Sequence, residues 1–155
     1  MPAECRIAPN VTQNYDGAGA CLIRVQDKIA VIRRISSGKY DLPRSSDNHS
    51  QQAQCAAHSA TFNQTGFNVE VSHLLAVSGS GHRLFACRID NGFNQTAERI
   101  EALSWLSPDV EDIVFVDPFI TTAQQWQNPD ELIIIRDAYV ALGHVPIQAL
   151  LQSKE

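Results

Sequence analysis

Two short apolar runs near the N-terminus predict a β-hairpin. Residues 18–25 (AGACLIRV) and 28–34 (KIAVIRR) are rich in apolar and β-branched side chains, which favour strands. Only Gln26 and Asp27 separate the two runs, and a two-residue connection is typical of a tight hairpin turn. We therefore expect the first two strands to be antiparallel neighbours.

A helix is predicted from Gln51 to about Thr65. Ser50 can cap its start, and Gly66 can take the left-handed position that follows its end. The predicted helix carries one narrow face of small side chains, which consists of Ala53, Ala56, Ala57 and Ala60. Such a face lets a helix approach a sheet closely, so we expect this one to pack on the sheet.

The apolar and polar pattern of the rest of the chain predicts further strands and helices of the same single domain. Strands are predicted over residues 69–77, 82–90 and 99–106. Loops are predicted over residues 78–81, 91–97 and 117–128. Helices are predicted to start at residues 107–109 and to cover residues 129–142, where a proline and acidic residues suit the first turn. The sequence thus predicts one α+β domain over residues 1–155.

Composition and charge narrow the function classes. The chain has 155 residues, of which 44% are hydrophobic and 19% charged, which is typical of a globular domain with a core. Its net charge of −5 argues against a nucleic-acid binder, because phosphate contacts need an excess of Lys and Arg. No apolar run reaches the roughly 18–20 residues that a membrane span needs. The sequence pattern does not predict whether the protein is a monomer or an oligomer.

The four cysteines leave two interpretations open. Their positions exclude a C-x-x-C metal or redox motif, because none of them lies near another in the sequence: Cys5, Cys21, Cys55 and Cys87. Four reduced and mostly buried thiols are typical of a cytoplasmic protein, whereas two disulfides are typical of an exported one. We expect a cytoplasmic location with reduced thiols, since residues 1–14 contain no signal peptide pattern, and keep an exported or periplasmic location as the alternative.

The segment from Leu42 to Phe67 resembles the Nudix box, whose pattern is G-x5-E-x7-R-E-U-x-E-E-x-G-U with U apolar. Members usually have L-P-G-G before it and A-A before the R-E pair. Here Leu42-Pro43, Ala56-Ala57 and Thr65-Gly66-Phe67 occur in register without a gap. The resemblance extends over residues 17–142. It implies a Nudix-type α/β/α sandwich with a mixed sheet.

The residues that carry chemistry in that family are replaced in this chain. Nudix enzymes hydrolyse nucleoside diphosphate derivatives with divalent metal ions that the helix glutamates hold. The box glycine, the arginine and all four glutamates correspond here to Ser45, Gln51, Ser59, Ala60, Asn63 and Gln64. Neutral amides and an alanine cannot balance a divalent ion, since Mg²⁺ prefers charged oxygen ligands. We therefore expect a degenerate box without catalytic residues or a bound metal.

Two functions remain, a binding domain and an enzyme. We expect a ligand- or partner-binding domain, whose ligand is a small anionic or nucleotide-like molecule. Arg44 is its candidate ligand residue, because it lies beside a predicted helix start, although it could instead pair with Asp41 or Asp47. The alternative is a hydrolase that uses Mg²⁺ or Mn²⁺ on carboxylates outside the box, for which Glu98 and Glu101 are the candidates.

Other acidic residues have ordinary explanations. Asp130 and Glu131 open the last predicted helix, where carboxylates interact favourably with the helix dipole. Similar Nudix domains with a cysteine before the A-A pair also occur joined to membrane domains of the phosphatidic-acid-phosphatase type. That resemblance implies an exported location and a disulfide at Cys55.

Overall fold

A seven-stranded mixed sheet lies at the centre of this chain in a computed structural model, which describes residues 4–46, 52–89, 99–102 and 105–153. The strands are β1 (Gly19–Val25), β2 (Lys28–Arg34), β3 (Tyr40–Asp41), β4 (Glu70–Val77), β5 (Arg83–Arg88), β6 (Arg99–Glu101) and β7 (Val110–Val116). Their order in the sheet is β4-β5-β1-β2-β7-β6, and β3 pairs with β2. Strands β1 and β5 are parallel, and the other pairs are antiparallel.

Two helices cover the two faces of the sheet. Helix α1 spans Ala53–Thr65, and helix α2 spans Leu132–Ser153 after two 3₁₀ turns at Ala123–Gln125 and Pro129–Glu131. Side chains alternate along β1, so that Cys21 and Ile23 join the core under α1, while Ala20 and Leu22 join the core under α2. The α+β class and the layered mixed sheet are therefore confirmed.

The hairpin and the small-residue helix face form as predicted. Val25 is opposite Lys28 in the β1–β2 ladder, and Gln26 has a positive φ of 58° in the tight turn between them. The four alanines of α1 are all buried. Gly66 follows the helix in the left-handed conformation, and its N–H donates to the carbonyl of Phe62. The predicted helix start at residues 50–51 lies outside the described residues.

Glycine is required where α1 crosses β1. A Cβ placed on Gly19 would lie 2.2 Å from the carbonyl oxygen of Ala53 and 3.0 Å from the Cβ of Ala57. Helix backbone and strand backbone thus meet without a side chain between them. This contact sets the distance of α1 from the sheet.

The predictions for the region after residue 99 were partly wrong. The helix predicted to start at residues 107–109 does not form, because residues 110–116 continue as strand β7 beside β2. The strand predicted over 99–106 is shorter, since it ends at Glu101, and residues 105–106 form a turn. The closing helix begins at Leu132 and continues past residue 142. The loop predicted over 91–97 lies outside the described residues.

Both cysteine pairs are disulfides, so the expectation of four reduced thiols was wrong. Cys5 is bonded to Cys55 at the start of α1, with a Cα–Cα distance of 5.3 Å. Cys21 on β1 is bonded to Cys87 on β5, with a Cα–Cα distance of 5.5 Å. The second bridge lies in the core under α1, whereas Cys5 is exposed. In the described part of the chain, no helix has the length and apolarity of a membrane span.

We predict that Gly19→Ala destabilises the protein by at least about 1–3 kcal/mol, the usual cost of overpacking a core, because the Ala53 carbonyl is backbone and cannot turn away. Thermal unfolding measures the effect. Gly79→Ala is the matched control, since nothing lies within 4 Å of its added Cβ, and it should change the free energy of unfolding by less than about 0.5 kcal/mol. Equal melting temperatures of the two variants would contradict the close contact of α1 and β1.

Candidate functional site

A polar cleft of about 250 Å³ opens beside helix α1. Its floor and walls come from the loop after β3, from the outer part of α1 and from the turn before β7. The lining residues are Arg44, Ser45, Ser46, Ala56, Ser59, Ala60, Asn63, Gln64 and Ser107. Arg44 carries the only charge among these described lining residues.

Ser45 is held in place by Gly19, the first residue of strand β1. Its N–H donates to the carbonyl of Gly19, and its hydroxyl accepts from the N–H of Gly19, both at 2.9 Å. The Nε2 of buried His82 donates to the Ser45 carbonyl at 2.8 Å. The backbone groups and the hydroxyl of Ser45 are thus engaged within the protein, which fixes this side of the cleft.

The amide of Gln64 bonds twice to the backbone of Arg44. Its Oε1 accepts from the Arg44 N–H at 3.2 Å, and its Nε2 donates to the Arg44 carbonyl at 2.8 Å. Only a side chain that carries both a donor and an acceptor makes this pair of bonds. Gln64 is therefore a structural link between α1 and the loop after β3.

The guanidinium of Arg44 is buried between two carboxylates. Its Nη1 donates to Glu131 Oε2 at 2.9 Å, and its Nη2 donates to Asp41 Oδ1 at 2.9 Å and also to Glu131. Burial alone would lower the pKa of Arg44, but the hydrogen bond to Glu131 and the charges of Asp41 and Glu131 outweigh it, so that this pKa is raised above its usual value. The cation is permanent, and its charge is offset by protein carboxylates.

Comparison with known proteins identifies the fold. No family model matches the chain. A Nudix hydrolase from Nitrosomonas europaea has a similar structure, with a TM-score of 0.60 and 14% identity over 82% of this chain and 89% of that chain. An ADP-ribose pyrophosphatase from Streptococcus suis gives a TM-score of 0.59 and 14% identity over 84% of this chain and 92% of that one. The chain has the Nudix fold.

Two further comparisons agree with this fold. A UDP-X diphosphatase gives a TM-score of 0.54 and 15% identity over 85% of this chain and 66% of that chain. A MutT-like protein from Streptomyces ambofaciens is 27% identical over 93 residues. That match covers 57% of this chain and 60% of the relative, so it spans less than two thirds of the relative's length.

In this Nudix fold, five of the six positions that the resemblance aligns with the box residues meet at the cleft. They are Ser45, Ser59, Ala60, Asn63 and Gln64. The sixth, Gln51, lies outside the described residues. The helix and the loop after β3 therefore bring these positions together, and their side chains are neutral. Neither hydroxyls nor amides supply the charge that a divalent ion needs, so this donor set does not fit the metal ions that the Nudix resemblance implies.

Of the two carboxylates considered outside the box, Glu101 lies in the part of the chain that the structure describes. Glu101 is exposed at the end of β6, opposite Asp112 of β7. Asp112 is buried and pairs with Arg33 at 3.0 Å. Glu98 lies outside the described residues. Among the residues that are described, no group of three His, Cys, Asp or Glu side chains is arranged to hold a metal ion.

Two residues that contribute to the site were not predicted from the sequence. Ser107 lines the cleft, and its N–H donates to the carbonyl of Asn63 at 2.9 Å. Glu131 was explained by the helix dipole, but it is buried and pairs with Arg44, 87 residues away. Its neighbour Asp130 is exposed and fits the dipole explanation. The sequence contains no local signal that separates these two acids.

We predict that Gln64→Glu destabilises the domain by about 1–3 kcal/mol, because a carboxylate cannot donate to the Arg44 carbonyl and leaves it unsatisfied. The midpoint of chemical denaturation measures this loss. Asn63→Glu is the matched control, since Asn63 is the adjacent and exposed residue of α1. A Gln64→Glu protein as stable as the Asn63→Glu protein would show that the link between α1 and the loop does not contribute.

We predict that Glu131→Gln lowers the free energy of unfolding by up to about 3–5 kcal/mol, because it removes one partner of a buried ion pair and leaves Arg44 undercompensated. Asp130→Asn removes the same charge from the neighbouring exposed position and should cost less than about 1 kcal/mol. Urea denaturation of both variants at neutral pH distinguishes the buried pair from a general charge effect.

Proposed function

We propose that this Nudix-fold domain binds a nucleotide-like ligand or a partner and does not carry out metal-dependent hydrolysis of diphosphates. One observation carries the proposal. The cleft at the box positions contains no carboxylate among its described lining residues, and its one charged side chain is already paired with Asp41 and Glu131. Such a site offers hydrogen bonds to a ligand, but it does not balance the charge of Mg²⁺ or Mn²⁺.

The relatives support the ligand class. Two similar structures carry names that refer to ADP-ribose and to UDP derivatives. Their shared fold with this chain favours a ligand of similar shape. The groups that line the cleft, however, do not favour metal-dependent hydrolysis. Because function depends on the site and not on the fold, the shared fold alone does not assign hydrolysis to this chain.

We predict that millimolar Mg²⁺ or Mn²⁺ leaves the melting temperature of the domain nearly unchanged, because a ligand stabilises by RT ln(1 + [L]/Kd) and a weak site adds almost nothing. The domain should also release no product from a panel of nucleoside diphosphate derivatives. Turnover that a chelator abolishes, and that Glu98→Gln or Glu101→Gln also abolishes, would overturn the proposal in favour of a hydrolase that uses carboxylates outside the box.

A matched pair of variants shows that the metal assay responds to charge. Ala60→Glu with Asn63→Glu places two carboxylates at the cleft, whereas Ala60→Gln with Asn63→Gln places isosteric amides there. Both pairs leave the Gln64 link intact. Calorimetry should detect Mg²⁺ binding to the carboxylate variant alone. Equal Mg²⁺ binding by both would contradict the argument from charge.

We also propose an exported or periplasmic location. The observation behind it is that both cysteine pairs are bonded, since disulfides persist in oxidising compartments and are rare in the cytoplasm. The exposed Cys5 lies where a cytoplasmic reductant would reach its bridge.

The disulfides give a direct prediction. Protein purified without reductant and then denatured should show no reactive thiol, and four after reduction. Reduction should lower the free energy of unfolding by up to about 4 kcal/mol per bridge, because each bridge closes a long loop of the unfolded chain. Four thiols in the denatured, unreduced protein would contradict both the bridges and the location proposed from them.

A further inference from the structure

Helix α2 has apolar side chains on both of its sides, and one of these sides faces solvent. The inner side packs in the core under α2 through four buried residues: Leu132, Ile135, Ala138 and Leu142. On the outer side, Ile133 is 70% exposed and Val140 is 47% exposed. Successive helix residues are turned by about 100°, so Ile133 and Val140 lie within about 20° of each other and opposite the buried residues. The outer side is thus an apolar stripe without a partner among the described residues.

Arg136 connects this stripe to the loop after β7. Its Nε and Nη2 each donate to a backbone carbonyl of residues 118–121 at 2.9 Å, which fastens the loop to the helix. Its guanidinium carbon also lies 5.7 Å from the ring centroid of the half-exposed Phe119. Ile133 lies one turn before Arg136 and Val140 one turn after it, and residues at this spacing are neighbours on a helix surface. The apolar side chains therefore form one surface that is already in place in the single chain. Contiguous exposed surfaces of this kind mark interaction sites, whereas single exposed apolar residues do not.

Two opposite charges flank the stripe. Arg136 lies about 60° to one side of Ile133, and Asp137 lies about 40° to the other side. Asp137 is exposed, and neither charge has an ion-pair partner in the part of the chain that the structure describes. A surface with one charge of each sign is complementary to a second copy of itself. An acidic partner or an anionic lipid surface would be repelled by Asp137 as well as attracted by Arg136.

We propose that two copies of this chain associate through the outer sides of their α2 helices, which run parallel about a two-fold axis. In a parallel pair each flank faces the opposite flank of the second copy, so Arg136 of each copy faces Asp137 of the other. Ile133 and Val140 then meet their own counterparts between these two ion pairs. In an antiparallel pair each flank faces the same flank, which brings like charges together. This assembly does not depend on the ligand proposed for the cleft.

Sedimentation equilibrium of the intact chain measures the association. We expect a reversible dimer, and Ile133→Glu should raise its dissociation constant about ten-fold or more, because both copies lose a central apolar contact and bring an acid into it. Ile133 is mostly exposed, so this variant should fold, which circular dichroism checks. Ile35→Glu is the matched control, since Ile35 is an exposed isoleucine in the turn after β2 and should leave the dissociation constant unchanged.

A charge reversal tests the ion pairs. Asp137→Arg should weaken the dimer several-fold, because it places two cations face to face in the parallel pair, and added salt should reduce the difference. In an antiparallel pair the same change replaces two facing anions with two facing cations, so the affinity would stay the same. An unchanged dissociation constant would therefore overturn the parallel arrangement.

A single added cysteine reports the orientation directly. All four native cysteines are bonded, so the thiol of the Ile133→Cys variant is its one free thiol. A parallel pair brings the two residues 133 together, and oxidation with diamide should link this variant to itself. An antiparallel pair brings residue 133 to residue 140, so that a link would form only in a mixture of Ile133→Cys and Val140→Cys chains. That result would overturn the proposal.

The remaining outcomes also decide the proposal. A chain that stays monomeric at millimolar concentration overturns it, and so does a dimer that is indifferent to Ile133→Glu. If the monomer instead binds phosphatidylglycerol vesicles and loses this binding in Ile133→Glu, the surface is a membrane contact and the dimer is wrong. None of these results bears on the cleft, whose proposed function fails only by chelator-sensitive hydrolysis.

Discussion

The contact of the Arg44 guanidinium with Glu131 joins parts of the chain that are far apart in sequence. Glu131 belongs to the 3₁₀ turn before α2, Asp41 ends β3, and the Arg44 backbone is bonded to Gln64 of α1. One side chain and its own peptide groups therefore connect helix α1 and the turn before α2 to strand β3. Because buried charges are stable only when each has its partners, the three ionised groups must be kept together. This arrangement fixes the shape of the cleft beside α1.

The same arrangement determines the electrostatics of the cleft. An arginine at this position would attract anions if it were free, but two carboxylates already bind it in a buried environment. Gln64 further occupies the position at which the Nudix pattern has a glutamate, and it uses its amide nitrogen as a donor. A glutamate cannot make that bond. The amide at this position of the resemblance thus has a structural use, and Gln64 is part of the packing between α1 and the loop after β3.

The elements that depend on local pattern could be predicted from the sequence. The hairpin follows from two β-branched runs around two residues, and the end of α1 follows from Gly66. Strand β7 could not be predicted in this way, because its pattern includes Glu111 and Asp112, and the burial of Asp112 depends on Arg33, 79 residues away. The register of the resemblance assigns Ser45, Ser59, Ala60, Asn63 and Gln64 to one motif, and these residues line one cleft. The partnership of Arg44 with Glu131 is a tertiary contact that no local pattern encodes.

Close backbone approach sets the position of α1 on the sheet, and it does not depend on carboxylates at the cleft, since none of the described lining residues is one. Helix α1 lies against β1 through Gly19, Ala53 and Ala57, and any residue inserted between these contacts would rotate the alanine face away from the sheet. The bridge from Cys21 to Cys87 lies in the core beneath this helix, and the bridge from Cys5 to Cys55 ties its first turn to the N-terminal segment. These contacts hold the helix in position whichever side chains occupy the outward-facing positions 59 and 63. A scaffold held in this way forms its cleft without carboxylates among the described lining residues, and what the cleft recognises depends on the hydroxyl and amide groups of that lining.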